Sequence, residues 1–124
     1  MKKIRGIARG TLEFILEVSK SSYPNEFAGL LQVEDSIITE VLFLPGTESG
    51  DSSAMLKLFM MPNISTVGSV HSHPKGIIKP SVADLQMFGK TGHYHIIVGY
   101  PYDLQSWKCF NAEGEERDLK IIEG

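Results

Sequence analysis

The chain has 124 residues, 42% of them hydrophobic and 22% charged, the composition of one ordinary globular domain and not of a disordered or fibrous segment. A net charge of -3 and a pI near 5.8 leave no basic field to gather nucleic acid, and no apolar run reaches the ~20 residues a membrane span needs. The single cysteine, Cys109, can close no intrachain disulfide and can build no cysteine-rich zinc site.

Lys2, Lys3, Arg5 and Arg9 make the N-terminus basic, but Arg9 and Glu13 interrupt the apolar stretch a signal peptide would need, so a cytoplasmic location is expected. Thr11 is expected to cap a helix in which Leu12, Ile15, Leu16 and Val18 follow helical spacing up to "YPN". "AGLLQV" (28–33) and "SIITEVLFLP" (36–45) read as two strands of a hairpin joined by "ED". "GTESGDSS" (46–53) reads as an exposed loop, "AMLKLFM" (54–60) as a strand, and "STVGSVHSH" (65–73) as the next one. Pro74, Gly76 and Pro80 forbid regular structure until Ser81 opens a short helix, "VADLQMFG", closed by Gly89 or Gly92. "YHIIVGY" (94–100), "LQSWKCF" (104–110) and "RDLKII" (117–122) read as closing strands, with "NAEGEE" as a hairpin turn and Cys109 as a small apolar filler. The fold class is therefore α/β, one domain over 1–124, with a curved, mixed but largely antiparallel sheet flanked by the N-terminal helix and the helix after the loop.

Chemistry concentrates in "HSHPKGIIKPSVAD" (71–84). Alternate strand residues share a face about 6.6 Å apart, so His71 and His73 can converge on one ion while Ser72 points away. Pro74 ends the strand, and the loop can return Asp84 as a third ligand. Two imidazoles and one carboxylate leave a tetrahedral zinc with an open position, the layout of a catalytic site and not of a closed structural one. S-x-x-D from Ser81 to Asp84 is equally a capping-box pattern that needs no metal. The two readings are compatible, because a helix start can cap itself and still present Asp84. The other H-x-H pair, His93 and His95, has no nearby carboxylate and runs into apolar Ile96, so strand-edge and structural roles are expected for it. The zinc deaminase pattern needs P-C-x-x-C, which one cysteine excludes, and no G-x-S-x-G elbow supports serine hydrolase chemistry.

H-x-H-P, seven residues from His73 to Ser81, then Asp84, resembles the signature of the JAMM (MPN-plus) zinc metalloprotease family, and "PNEFAGLL" (24–31) is similar to its upstream glutamate context. "GSVHSHP" and "YHIIVGYP" resemble the family's strands on either side of the site. The likeness covers nearly the whole chain and is closest to short stand-alone archaeal and bacterial members. The resemblance implies an MPN-like fold and one Zn2+ per chain, held by His71, His73 and Asp84. It implies that Glu26, one of ten glutamates and undistinguished by composition, is the general base. It implies that Ser81 donates a hydrogen bond to the oxyanion.

The same resemblance implies a zinc (iso)peptidase that cuts after the C-terminal tail of a ubiquitin-like modifier, or one that processes the C-terminus of a sulfur-carrier protein. A non-catalytic scaffold of the same fold is the rival from another class; such relatives lose metal ligands, and this chain has all of them. The 46–53 loop falls where family members can form a flap or tail-binding hairpin, and it reads equally as a flexible connector. Ile77 and Ile78, between two prolines, either pack inward or touch substrate or a second copy of the chain in a homodimer.

Overall fold

Leu12, Ile15, Leu16 and Ser19 recur at the three- and four-residue spacing of one helix face. All four are buried on helix α1, Arg9–Ser22, in a computed structural model of the chain that describes residues 3–43 and 66–123. The helix begins two residues before Thr11, after Ala8 and without a side-chain cap. Thr11 therefore lies inside the first turn, and its hydroxyl donates instead to the Thr39 carbonyl at 2.9 Å. The physical reason is a strand that the sequence conceals: β1, Gly6–Ala8, delivers the chain straight into the helix.

β2 (Ala28–Glu34) and β3 (Ile37–Phe43) form the expected hairpin, but its turn is Asp35–Ser36 and not Glu34–Asp35. Both turn residues have positive φ, 54° and 65°, as a two-residue turn needs to match the twist of its strands. The last two residues of the expected 36–45 strand, the 46–53 loop, the 54–60 strand and residue 65 lie outside the described residues. β4 (Gly68–His73) and β5 (Tyr94–Gly99) pair in parallel, which demands a crossover, and helix α2 (Val82–Thr91) supplies it. α2 ends at Gly92 rather than Gly89; Gly92 has φ 141° and packs so closely on Val67 that a side chain would overlap its carbonyl.

β6 (Trp107–Phe110) runs antiparallel to β5 and turns through "NAEGEE" into β7 (Glu116–Arg117). The expected 117–122 strand divides, because β8 (Ile121–Ile122) leaves β7 and pairs in parallel with β1. Among the described residues the sheet has eight strands in the order β7-β6-β5-β4-β2-β3-β1-β8. Arg117 and Ile121 thus sit on opposite edge strands only four residues apart, a reach of at most roughly 14 Å. Seven flat inter-strand gaps of about 4.8 Å would separate those edges by roughly 34 Å. The sheet must curl until its edges approach.

Alternation along the central strands gives the sheet two apolar faces. Leu31, Val70, Ile96 and Val98 join α1's Leu12, Ile15 and Leu16 in the main core. On the other face Leu30 meets Met87 of α2, and Ile97 and Phe110 meet Phe88. α2 is therefore pinned over β4 and β5, and its N-terminus is held beside the C-terminal end of β4. Loops at that end of parallel strands are where open α/β sheets place ligands.

Candidate metal centre

On β4 the period of two turns Val70 to the α1 side and Ser69 and His71 to the α2 side, with His73 two residues further along the same face. Pro74 and the turn after it reverse the chain, and Ser81 caps α2: its Oγ accepts from Asp84 N at 3.1 Å, and Asp84 Oδ2 accepts from Ser81 N at 2.9 Å. The same carboxylate faces both imidazoles. His73 Nε2 lies 3.0 Å from Oδ2 and His71 Nδ1 lies 3.4 Å from Oδ1. His73 Nδ1 donates to the Ile77 carbonyl at 2.8 Å, which fixes its ring and turns Nε2 inward.

Burial separates the protonation states of these groups. It pushes His71 down to about 4, against the opposing pull of Asp84, so this ring is neutral near pH 7. Burial also disfavours charge on His73, but its bonds to Asp84 and Ile77 and the charges of Asp84 and Glu26 outweigh that and raise it. Asp84 resists its own burial through His73, His71 and the Ser81 N–H, which hold it down at about 2. A permanently ionised carboxylate beside two imidazoles is the donor set zinc prefers when sulfur is absent.

Zinc ligands at about 2.0–2.1 Å in a tetrahedron sit roughly 3.3 Å from one another. The observed separations, 3.0 Å from His73 to Oδ2 and 3.4 Å from His71 to Oδ1, are close to that spacing but reach different oxygens of the carboxylate. Among the described residues no three such side chains yet stand in a geometry ready to hold an ion, because Asp84 bonds His73 directly. The residues fit a zinc ion in kind and lie close together, and Asp84 must exchange that hydrogen bond for it.

An open cleft of about 600 Å³ lies over this cluster, lined by Glu26, His73, Lys75, Ile77, Pro80 and Ser81 among others. Glu26 is exposed and stands just before β2. Its neighbour Phe27 is clamped to β4 through Ser72, whose Oγ accepts from Phe27 N at 2.8 Å while Ser72 N donates to Phe27 O at 3.0 Å. Ser72, which alternation turns away from the imidazoles, thus ties the Glu26 segment to the strand that bears them. Ser81 Oγ already accepts one bond, which leaves its O–H hydrogen available to donate. Ile77 and Ile78 part company: Ile77 is 62% exposed at the cleft, whereas Ile78 packs toward Phe88, Ile97 and Phe110.

His95 departs from the expected strand-edge role. It is fully buried on β5, between β4 and β6, and stacks on Phe88 with ring centroids 4.0 Å apart and planes 8° apart. Its Nδ1 lies 2.8 Å from Ser69 Oγ, which lies 3.0 Å from His71 Nε2. His93, by contrast, is exposed. Neither Ser69 nor Ser72 draws attention in the sequence; their one signal is a position two before, or one after, His71 on a strand of alternating faces. Cys109 is buried and its thiol is raised to about 11 by that burial, as an inert filler should be.

Residues 9–110 match the family of prokaryotic homologs of the JAB domain. The chain belongs to that family. A protein of Haloferax volcanii named a probable metalloprotease is 41% identical, across 98% of this chain and 82% of that protein. The crystal structure of a JAB1/MPN domain protein from Archaeoglobus fulgidus is 42% identical, covers 95% of this chain and 99% of that one, and superposes with a TM-score of 0.79. A second structure, described as JAMM, a metalloprotease-like zinc site in the proteasome and signalosome, is 40% identical over 98% of this chain and 100% of that one, with a TM-score of 0.79. The curled mixed sheet and the two helices among the described residues are thus those of a JAB1/MPN domain.

Proposed function

We propose that this JAB-family chain is a zinc-dependent peptidase that hydrolyses the bond following the C-terminal tail of a ubiquitin-like protein. The observation that carries the reading is the meeting of His71, His73 and Asp84, of which His73 lines the same cleft as Glu26 and Ser81. A zinc ion bound there supplies Lewis acidity, polarising a carbonyl oxygen and bringing ionisation of water within reach of neutral pH.

The protein's own groups do the rest. Glu26 takes the proton lost by the attacking water and delivers it to the departing amine nitrogen. Ser81 donates its free O–H to the carbonyl oxygen as negative charge grows there, a contact whose loss typically lowers turnover by about 10² to 10³. The Ile77 carbonyl keeps the His73 ring oriented, and the Ser72 clamp keeps the Glu26 segment beside it. The cleft is open and walled by Pro24, Ile77 and Pro80, surfaces suited to a narrow, extended tail, and Lys75 and Lys79 can offset its terminal or side-chain carboxylates.

The test is incubation with ubiquitin-like fusions and conjugates, with and without a zinc chelator, the cut located by intact mass. Cleavage after the tail that disappears with chelator and returns with one zinc per chain is expected. Cleavage indifferent to chelator, or a chain that takes up no zinc, refutes the proposal. A cut confined to sulfur-carrier precursors would reassign the substrate and keep the chemistry.

A further inference from the structure

An atom that can only accept, the Gly92 carbonyl oxygen, fixes the positions of three hydrogens in a row. The Gly92 carbonyl has no proton to give, so His95 Nε2, 2.9 Å away, carries one and donates it. On a neutral ring that leaves His95 Nδ1 bare, and it accepts from the Ser69 hydroxyl at 2.8 Å. Having donated its only hydrogen, Ser69 Oγ must accept from His71 Nε2 at 3.0 Å. His71 is thereby protonated on Nε2, and its Nδ1 lone pair points toward Asp84 Oδ1 at 3.4 Å. Two electron-rich atoms then face each other with no hydrogen between them, an arrangement that favours a cation.

We infer that Ser69 and His95 are positioning residues that hold His71 in the one tautomer whose Nδ1 is free to bind a metal ion. The fold builds this relay deliberately. Ser69 and His95 are direct partners in the parallel β4–β5 ladder, and Phe88 of α2 fixes the His95 ring by stacking on it. All three relay side chains are buried, so no water competes for the bonds. His73 meets the same need more simply, through the Ile77 carbonyl. Each imidazole thus ends on a backbone carbonyl: one directly, the other through a hydroxyl and a second imidazole. Outer partners of this kind commonly set metal affinity by about 10- to 100-fold.

The inference rests on the zinc reading for its purpose, but the proton arrangement can be read without metal. In ¹⁵N-labelled, metal-free protein, two-bond ¹H–¹⁵N correlations should show His71 and His95 both protonated on Nε2. Ser69→Ala should move the His71 proton wholly or partly to Nδ1, where Asp84 accepts it. Ser69→Ala and His95→Phe should each weaken zinc binding by about 10- to 100-fold in chelator competition. Ser19→Ala, the same change at an equally buried serine on α1, should leave the tautomer and the zinc affinity at parental values. His71 protonated on Nδ1 in the parental chain overturns the inference, whatever the variants do. So does parental zinc affinity in both Ser69→Ala and His95→Phe. A parental chain with the stated tautomers that takes up no zinc would sink the peptidase reading and leave the relay intact.

Discussion

The metal-free chain should lose stability steeply as pH falls from 6.5 to about 4, and two buried rings set the slope. Burial lowers His71 and His95 to about 4, from 6.5 in an exposed chain. Their folded values lie below their unfolded ones, so within this window the unfolded chain binds more protons and acid favours unfolding. Each ring contributes a slope of about 1.4 kcal/mol per pH unit and roughly 3 kcal/mol over the whole window. His73 shifts the other way: its contribution is complete below pH 6.5 and fades only as pH rises through its raised value, so it does not offset the loss. Asp84, held at about 2, adds to the loss only below about pH 3.8. Two rings together, roughly 6 kcal/mol, are comparable with the whole stability of a domain at the lower end of the typical range of about 5–15 kcal/mol. Urea unfolding followed by circular dichroism, with chelator present, at half-unit steps from pH 7 to 4.5 measures the slope. His95→Phe removes one ring and should halve it, from about 2.7 to about 1.4 kcal/mol per pH unit. A flat profile, or the same slope in His95→Phe, would refute the assignment of neutral buried imidazoles.

Glu26→Gln should keep the fold and one zinc per chain while lowering single-turnover cleavage by at least about 10², because the carboxylate touches only the moving proton; parental turnover would remove Glu26 from the chemistry. Ser81→Ala deletes both a helix cap and an oxyanion donor, so about 1 kcal/mol of stability and about 10²-fold or more of turnover should go together. Ser81→Asn, which keeps a capping acceptor, should recover the stability and not the turnover. Ile77→Ser should raise KM for a ubiquitin-like substrate with little change in Tm, whereas Ile78→Ser should lower Tm through the Phe88–Ile97–Phe110 cluster; equal effects would void the distinction drawn between them. Gly68→Ala should abolish soluble folded protein, since the added methyl would overlap the Tyr94 carbonyl across the β4–β5 pair, while Gly89→Ala, in open space on α2, should stabilise by about 0.5–1 kcal/mol.

The strands that position the site are legible because their residues carry a strong local signal. "YHIIVG" is buried at all six positions and reads as the near-continuous apolar run of a covered central strand. "GSVHSH" reads through its break at Pro74. β1 and β8 are not legible: three and two residues hold no period, and they are strands only because parallel partners lie beside them. The same limit hides the division of 117–122, where neighbouring residues belong to opposite edges of a curled sheet. At the site, the spacing of His71, His73, Ser81 and Asp84 suggests a shared centre, whereas Glu26 emerges only from its family context. The link between Ser69 and His95 cannot be read from sequence, since their registration appears only when β4 and β5 pair.

The capping box and the metal reading are compatible in the sequence, and Asp84 shows that they also reinforce each other. Its carboxylate is anchored at a helix N-terminus, where the Ser81 N–H and the positive end of the helix dipole both favour negative charge. That anchoring keeps the group ionised and oriented with or without an ion, so little side-chain entropy remains to be lost when one binds. The two rings it faces are held as firmly, His73 by the Ile77 carbonyl and His71 by the relay that ends at Gly92. Both carbonyls belong to segments that bracket α2: the 74–80 loop before it and the Gly92 turn after it. A single short helix, seated by Met87 and Phe88, therefore fixes one ligand directly and the orientation of the other two through its flanks. Substitutions that loosen Phe88 should then damage zinc affinity more than any change of equal volume in the α1-side core.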